Sequence, residues 1–246
     1  MEATCRKSLE HGLPAIAFTD HADFVAVHEG QHELDIAGYL EAVERCRAEF
    51  PELRILSGVE LGEPHLFPAR AAAVLAAGRL DRVLGSVHCI RIGGHPRDLS
   101  ERGLMTIDAA PGLLRAYLAE VLDLARSDQP FAVLAHLDYP RRYWPHDRLR
   151  LDETKFEEEY RAVLREAARR GTVLEVNTTR GAEAIRGLCP SPMVIRWWWE
   201  EGGERVSFGS DAHEPSAIAK GFGEAAAAVE AAGFRPAADP VDFWRR

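Results

Sequence analysis

Arg54-Ile55-Leu56-Ser57-Gly58-Val59-Glu60 decides how this chain is to be read. It is a short, mostly apolar run that ends on a carboxylate. Runs of this length with little alternation mark strands buried on both faces, as in a parallel sheet. Five similar runs recur, at Pro14–Thr19, Arg82–Val87, Phe131–Ala135, Val173–Val176 and Arg205–Phe208. Helical spacing fills the intervals. Ile36–Glu49 carries Leu40, Val43 and Cys46 on one stripe, and Ala69–Ala77 is rich in alanine. Ala110–Ala125 and Thr154–Arg169 repeat the pattern, and Met1–His11 reads as a leading helix. Ser191-Pro192 has the form of an N-cap followed by proline at the first helical position. Strands alternating with helices predict a parallel sheet wrapped by helices. The segments 91–106 and 139–151, rich in Gly, Pro and Arg, read as loops.

Glu60 is not alone in its position. The first run ends Phe18-Thr19-Asp20-His21, the third Gly85-Ser86-Val87-His88, and the fourth Ala135-His136-Leu137-Asp138. The fifth ends Glu175-Val176-Asn177 and the sixth Gly209-Ser210-Asp211-Ala212-His213. In a parallel barrel the C-terminal strand ends converge on one mouth. A single histidine after an apolar run is ordinarily a hydrogen-bonded rim residue. His21, Glu60, His88, His136, Asp211 and His213 at equivalent strand ends are a candidate metal cluster instead. Clustered buried ionisable groups are unfavourable without a compensating charge, and a metal supplies one. His11, His28, His32 and His146 have no strand-end position and read as loop residues. His65 and His95 are candidate substrate contacts.

Composition narrows the classes. The 246 residues are 46% hydrophobic and 28% charged, with a net charge of −9, which is ordinary globular usage for one domain spanning 1–246. An acidic chain does not fit a phosphate-backbone binder, so no nucleic-acid partner is expected. Cys5, Cys46, Cys89 and Cys189 are scattered with no CxxC pair, which fits a reducing, cytoplasmic setting. No apolar run reaches the roughly 18 residues of a membrane span, so no membrane partner is expected.

The strand-end motifs Thr19-Asp20-His21, Gly58-Val59-Glu60, Gly85-Ser86-Val87-His88, Ala135-His136-Leu137-Asp138 and Gly209-Ser210-Asp211-Ala212-His213 resemble those of the PHP phosphoesterase superfamily. The tract Gly85–Cys89, with Ala135–Asp138 and Glu175-Val176-Asn177-Thr178, is similar to its histidinol-phosphatase branch. The resemblance implies a distorted (β/α)7, TIM-like barrel and two or three divalent metals, zinc, manganese or iron. It implies Glu60 as the bridging carboxylate, His88 and His136 on the second metal, Asp211 with Glu60 on the first, and His21 and His213 on the third. Glu60, His88, Asp211 and His213 form the implied catalytic core. Arg141, Arg142, Arg180 and Asn177 follow strands four and five and are candidates for holding a small phosphomonoester. Asp138, Asp20 and His213 are candidate proton sources for the leaving group. Asp20 and Asp138 are alternatively candidates for orienting metal-bound histidines.

The chain departs from the family in one respect. The family opens with a strand that ends in His-x-His, and no such strand stands before Met1–His11. The expectation is either an upstream strand, with Met1 an internal methionine, or a shortened barrel. Three functions follow: a metal-dependent histidinol-phosphatase of histidine biosynthesis, a phosphoesterase for another phosphomonoester or nucleotide, or a non-catalytic metal- or phosphate-binding remnant.

Overall fold

The computed structural model describes residues 1–25, 27, 34–179 and 187–246. Arg180, His28 and His32 lie outside the described residues. Helix α1 (Glu2–Glu10) leads into β1 (Ala15–Asp23), followed by α2 (Ile36–Glu49), β2 (Arg54–Gly62), α3 (Pro68–Ala76) and β3 (Arg82–Ser86). A hairpin of β4 (Cys89–Ile92) and β5 (His95–Asp98) precedes α4 (Ala110–Arg126) and β6 (Val133–Leu134). Then come α5 (Glu157–Arg169), β7 (Val173–Asn177), α6 (Pro192–Glu200), β8 (Arg205–Gly209), α7 (Phe222–Ala232) and β9 (Trp244–Arg245).

The sheet order is β1-β2-β3-β6-β7-β8-β9, parallel throughout except that β9 runs antiparallel against β8. This is the expected mixed α/β architecture with a curled parallel sheet, but the described strands do not close into a ring. Strands β1 and β9 are its edges. Ala15, Phe18 and His21 nevertheless face Ser207, Phe208 and His213 across one hollow of about 540 Å³, so the sheet curls until its two sides share a cavity. Edge position explains why β1 is half-exposed over most of its length while β2 is buried from Ser57 to Gly62.

Core packing follows the helical stripes. Leu114, Tyr117, Leu118 and Val121 of α4 pack with Tyr160, Val163 and Leu164 of α5 and with Trp198 of α6. Cys5, Tyr39, Val43 and Cys46 join α1 and α2 in a second cluster. Ser191 caps α6 by accepting from the Val194 N–H at 3.4 Å, as its sequence predicts.

Three expectations change. The loop expected at 91–106 contains most of the β4–β5 hairpin, turning at Gly93-Gly94. The strand expected at 131–135 pairs only at Val133 and Leu134. The first strand runs on to Asp23, which carries His21 and Asp23 inside the ladder opposite Glu60 and Gly62.

Tyr39 ties α2 to this ladder. Its buried hydroxyl donates to the Phe18 carbonyl at 2.9 Å and accepts from the Gly58 N–H at 2.8 Å. Tyr39→Phe leaves both backbone groups unpaired and should lower stability by about 1–3 kcal/mol. Urea unfolding of the variant measures this. A midpoint equal to the parent's would show that the hydroxyl contributes nothing.

Candidate metal centre

Parallel register builds the centre. Pairing of β1 with β2 sets His21 opposite Glu60, and β3 delivers His88 two residues beyond its last residue. His136 stands two residues past β6, and Asp211 two residues past β8. Residues from five different strands therefore meet at one mouth. His136 Nε2 lies 2.7 Å from Glu60 Oε1, and His88 Nε2 lies 3.1 Å from the same oxygen. The ring centroids of His21 and His88 are 5.4 Å apart, those of His21 and His213 5.7 Å, and those of His88 and His136 5.1 Å.

Among the described residues, two donor triads have ligand atoms within 4.8 Å of one another: His21 with Glu60 and His88, and His21 with Asp211 and His213. The family-based grouping places His88 and His136 on one ion. Here both imidazoles contact Glu60 Oε1, and His136 is in neither triad. The donor set is imidazole nitrogen and carboxylate oxygen in a largely buried setting, which suits zinc, manganese or iron. Imidazoles crowding one carboxylate oxygen form a cradle that a proton or a cation must occupy, so the residues fit a metal. Glu60, His88 and His136 are buried, whereas the His213 side chain is 71% exposed at the rim.

Charge states follow from this crowding. Burial alone would push the Glu60 carboxyl up, but His21, His136 and His88 hold it well below the usual range. Burial also works against His21 protonation, yet Glu60 and the hydrogen bond to Asp23 raise it to about 9. Hydrogen bonds to Asp23 and Glu60 likewise outweigh burial and raise His88. Burial dominates at His136, which is pushed down and stays neutral more readily. Among the candidate ligands, His136 at φ +23° and Asp211 at φ +49° carry backbone strain, and strain of this kind collects at functional sites.

The expected phosphate-binding residues separate. Arg142 is buried and contacts Asp211 at 2.7 Å, stacking over Tyr139. Arg141 pairs with Glu153 at 2.5 Å. Asn177 is buried, and its amide nitrogen reaches Glu175 at 3.3 Å and Asp211 at 3.4 Å. Its oxygen accepts from the Thr179 N–H at 3.0 Å. Asp20 is exposed, and Asp138 is fully buried with Tyr160 donating to it at 3.3 Å. His65 is paired with Glu120 at 2.8 Å.

The histidine-orienting carboxylate is Asp23, in place of the expected Asp20 or Asp138. Its Oδ1 lies 3.2 Å from His88 Nδ1 and its Oδ2 3.5 Å from His21 Nδ1. A carboxylate on the second ring nitrogen fixes the orientation of a metal-binding imidazole. Asp23 fits only because its ladder partner is glycine: a Cβ on Gly62 would lie 2.1 Å from Asp23 Oδ1. The signal was present in the sequence, since His21 and Asp23 are two apart in a strand and share a face.

A protein-family model described as PHP domain matches residues 1–179. A histidinol-phosphatase of Lactococcus lactis subsp. lactis is 28% identical over 209 residues, covering 84% of this chain and 76% of that protein. A probable histidinol-phosphatase of Clostridium acetobutylicum is 26% identical over 223 residues, covering 90% and 83%. The crystal structure of histidinol phosphate phosphatase from Lactococcus lactis, complexed with zinc, L-histidinol and phosphate, superposes with a TM-score of 0.80. That match is 22% identical and covers 95% of this chain and 87% of the other.

The pH response of the metal-stripped protein follows from His21. Its pKa is higher folded than its ordinary 6.5, so its stabilising contribution is complete below about pH 6.5 and is lost as pH rises through about 9. Thermal melts in chelator should fall over that window, and His21→Gln should flatten the fall. A melting temperature independent of pH across it would contradict the assignment.

Proposed function

The chain belongs to the PHP domain family, and on that premise we propose that it is a metal-dependent histidinol-phosphatase. It would hydrolyse L-histidinol phosphate to L-histidinol and phosphate, breaking the ester P–O bond and forming a new one from water. The observation that carries this reading is the shared contact of His88 and His136 with Glu60 Oε1, 3.1 and 2.7 Å away at a buried strand-end mouth. The names of the relatives support the substrate.

Two or three divalent metals, held by Glu60, His88 and His136 with His21, Asp211 and His213, would neutralise phosphate charge and acidify a coordinated water. The protein's own groups do the rest. Glu60 stays anionic through its imidazole neighbours and presents one oxygen to both His88 and His136. Asp23 keeps the His21 and His88 rings aimed. Arg142 stands beside Asp211 and offers a planar fork to phosphate oxygens. His213 stands at the rim, its side chain 71% exposed and 3.7 Å from Asp211.

The hollow beside β1 supports the family's further strand. The outer edge of β1 has no strand partner among the described residues. A strand ending in His-x-His, added before Met1, would pair there and carry its histidines to the mouth beside His21 and His213.

Three outcomes are expected of purified protein. First, L-histidinol phosphate is turned over faster than a panel of other phosphomonoesters, and chelator abolishes the activity. A faster panel substrate would displace histidinol phosphate. Second, Glu60→Gln lowers metal content, read by mass spectrometry, by more than one equivalent, because one carboxylate serves two ions. A loss confined to one ion with near-normal activity would contradict bridging. Third, a form extended upstream by one strand turns over substrate faster and melts higher than the 246-residue form. Equal turnover would remove the need for that strand.

A further inference from the structure

Glu63 and Glu175 are fully or almost fully buried carboxylates, and neither belongs to a donor triad. We propose that both are positioning residues, which clamp the main chains of His88 and His136 and so fix where the two imidazoles meet Glu60. The inference rests on the reading of Glu60, His88 and His136 as a metal centre.

The geometry at His88 comes first. The chain leaves the parallel sheet after β3, whose pairing with β6 covers only Leu84 and Gly85. The N–H groups of His88 and Cys89 therefore need acceptors from outside the ladder. Glu63 Oε1 accepts both, at 2.5 Å from His88 N and 2.8 Å from Cys89 N. Glu63 is itself anchored, since its own N–H donates to the Ser86 carbonyl at 2.9 Å. It adopts φ +45°, a left-handed conformation unfavourable for a side chain with a Cβ. The His88 carbonyl is held as well, accepting from the Leu99 N–H at 3.1 Å.

The same construction recurs at His136, two residues past β6. Its N–H donates to Glu175 Oε2 at 2.8 Å. Its carbonyl accepts from the Tyr139 N–H at 2.8 Å and from the Tyr117 hydroxyl at 3.3 Å. The sheet leaves room for Glu175 at one position: a Cβ on Gly209 would lie 2.0 Å from Glu175 Oε1. Each of the two histidines that contact Glu60 thus hangs from a peptide held on both sides, with a buried carboxylate as the acceptor.

Burying a carboxylate is unfavourable, and a main chain that only had to turn could use a backbone carbonyl or water. Placement is what the carboxylates add. Metal ligands must be held to within about 0.5 Å, and the groups behind them typically contribute 10–100-fold in affinity.

The test compares Glu63→Ala, Glu63→Gln, Glu175→Ala and Glu175→Gln in the full chain, with zinc alone as probe. Each alanine variant should bind zinc about ten-fold or more weakly in a chelator competition, and each glutamine variant, which keeps an acceptor oxygen, should recover most of the loss. Amide exchange in metal-free protein gives a second readout. His88 and Cys89 should exchange faster in Glu63→Ala, and His136 faster in Glu175→Ala, with glutamine protecting both. Glu63→Ala should add nothing to the zinc loss of His88→Ala yet should add to that of His136→Ala. Should an alanine variant not fold, Glu63→Asp, which withdraws the carboxylate by one methylene, replaces it. Unchanged amide exchange in the alanine variants would overturn the clamps. Equal zinc loss in alanine and glutamine variants would do so too. If Glu60→Gln leaves zinc binding unchanged, the metal reading fails separately, and the exchange data still decide on the clamps.

Discussion

One buried carboxylate organises this molecule. Glu60 sits 5% exposed at the end of β2, with imidazoles from two other strands on the same oxygen. An anion taken out of water must find positive charge or hydrogen bonds close by. The curled sheet meets that demand by converging strand ends, so His21, His88 and His136 reach one point from positions far apart in sequence. Sheet register, strand length and the corners after β3 and β6 matter to function because they set where those rings arrive. A one-residue slip of β1 against β2 would turn His21 and Asp23 to the opposite face.

Much of this was legible before any coordinates, and the reason is periodicity. An apolar run ending in His, Glu or Asp advertises both the strand and its mouth end, which is why His21, Glu60, His88 and His136 could be picked out together. The hairpin of β4 and β5 was hidden because Arg91, His95, Pro96 and Arg97 break the alternation that marks a half-buried strand. The edge strand β9 is two residues long, too short to carry any pattern. Asp138 shows the limit of reading by adjacency. It follows His136 by two residues, as Asp23 follows His21, but β6 has already ended, and the chain turns into a 3₁₀ helix over Tyr139–Tyr143. Without the ladder the two-residue spacing no longer places side chains on one face.

Glu63 and Glu175 were not legible for a different reason. Their partners are backbone N–H groups, which every residue but proline carries, so the sequence holds no complementary side chain to search for. Only the three-dimensional path of the chain shows which peptide groups have left the ladder and need an acceptor. A parallel sheet produces such groups wherever a strand ends before its neighbour does. The residue just after that end is also where the mouth lies. Metal ligands in this architecture therefore tend to stand on the peptides that most need outside support, and buried carboxylates behind them answer both needs.

Charge balance supplies the remaining step. Asp23, Glu60, Glu63 and Glu175 are buried around the mouth, and Asp211 adds a fifth carboxylate beside Arg142. Burial and the neighbouring Glu60 push Glu175 up to about 7, while Glu60 and Asp23 draw protons onto His21 and His88. The metal-free mouth thus takes up protons to offset its own anions, and it takes them up on the nitrogens a metal would use. A divalent ion delivers the same compensation without occupying those nitrogens with hydrogen, so metal and protons compete for one position and the ion gains as pH rises. A phosphomonoester is itself an anion. It would be repelled by a mouth whose carboxylates outnumber its cationic groups, and Arg142 is already paired with Asp211, so its approach depends on added positive charge. Metal loading would then be the condition for substrate entry as well as for chemistry, because both depend on reversing the sign of one small, largely buried field.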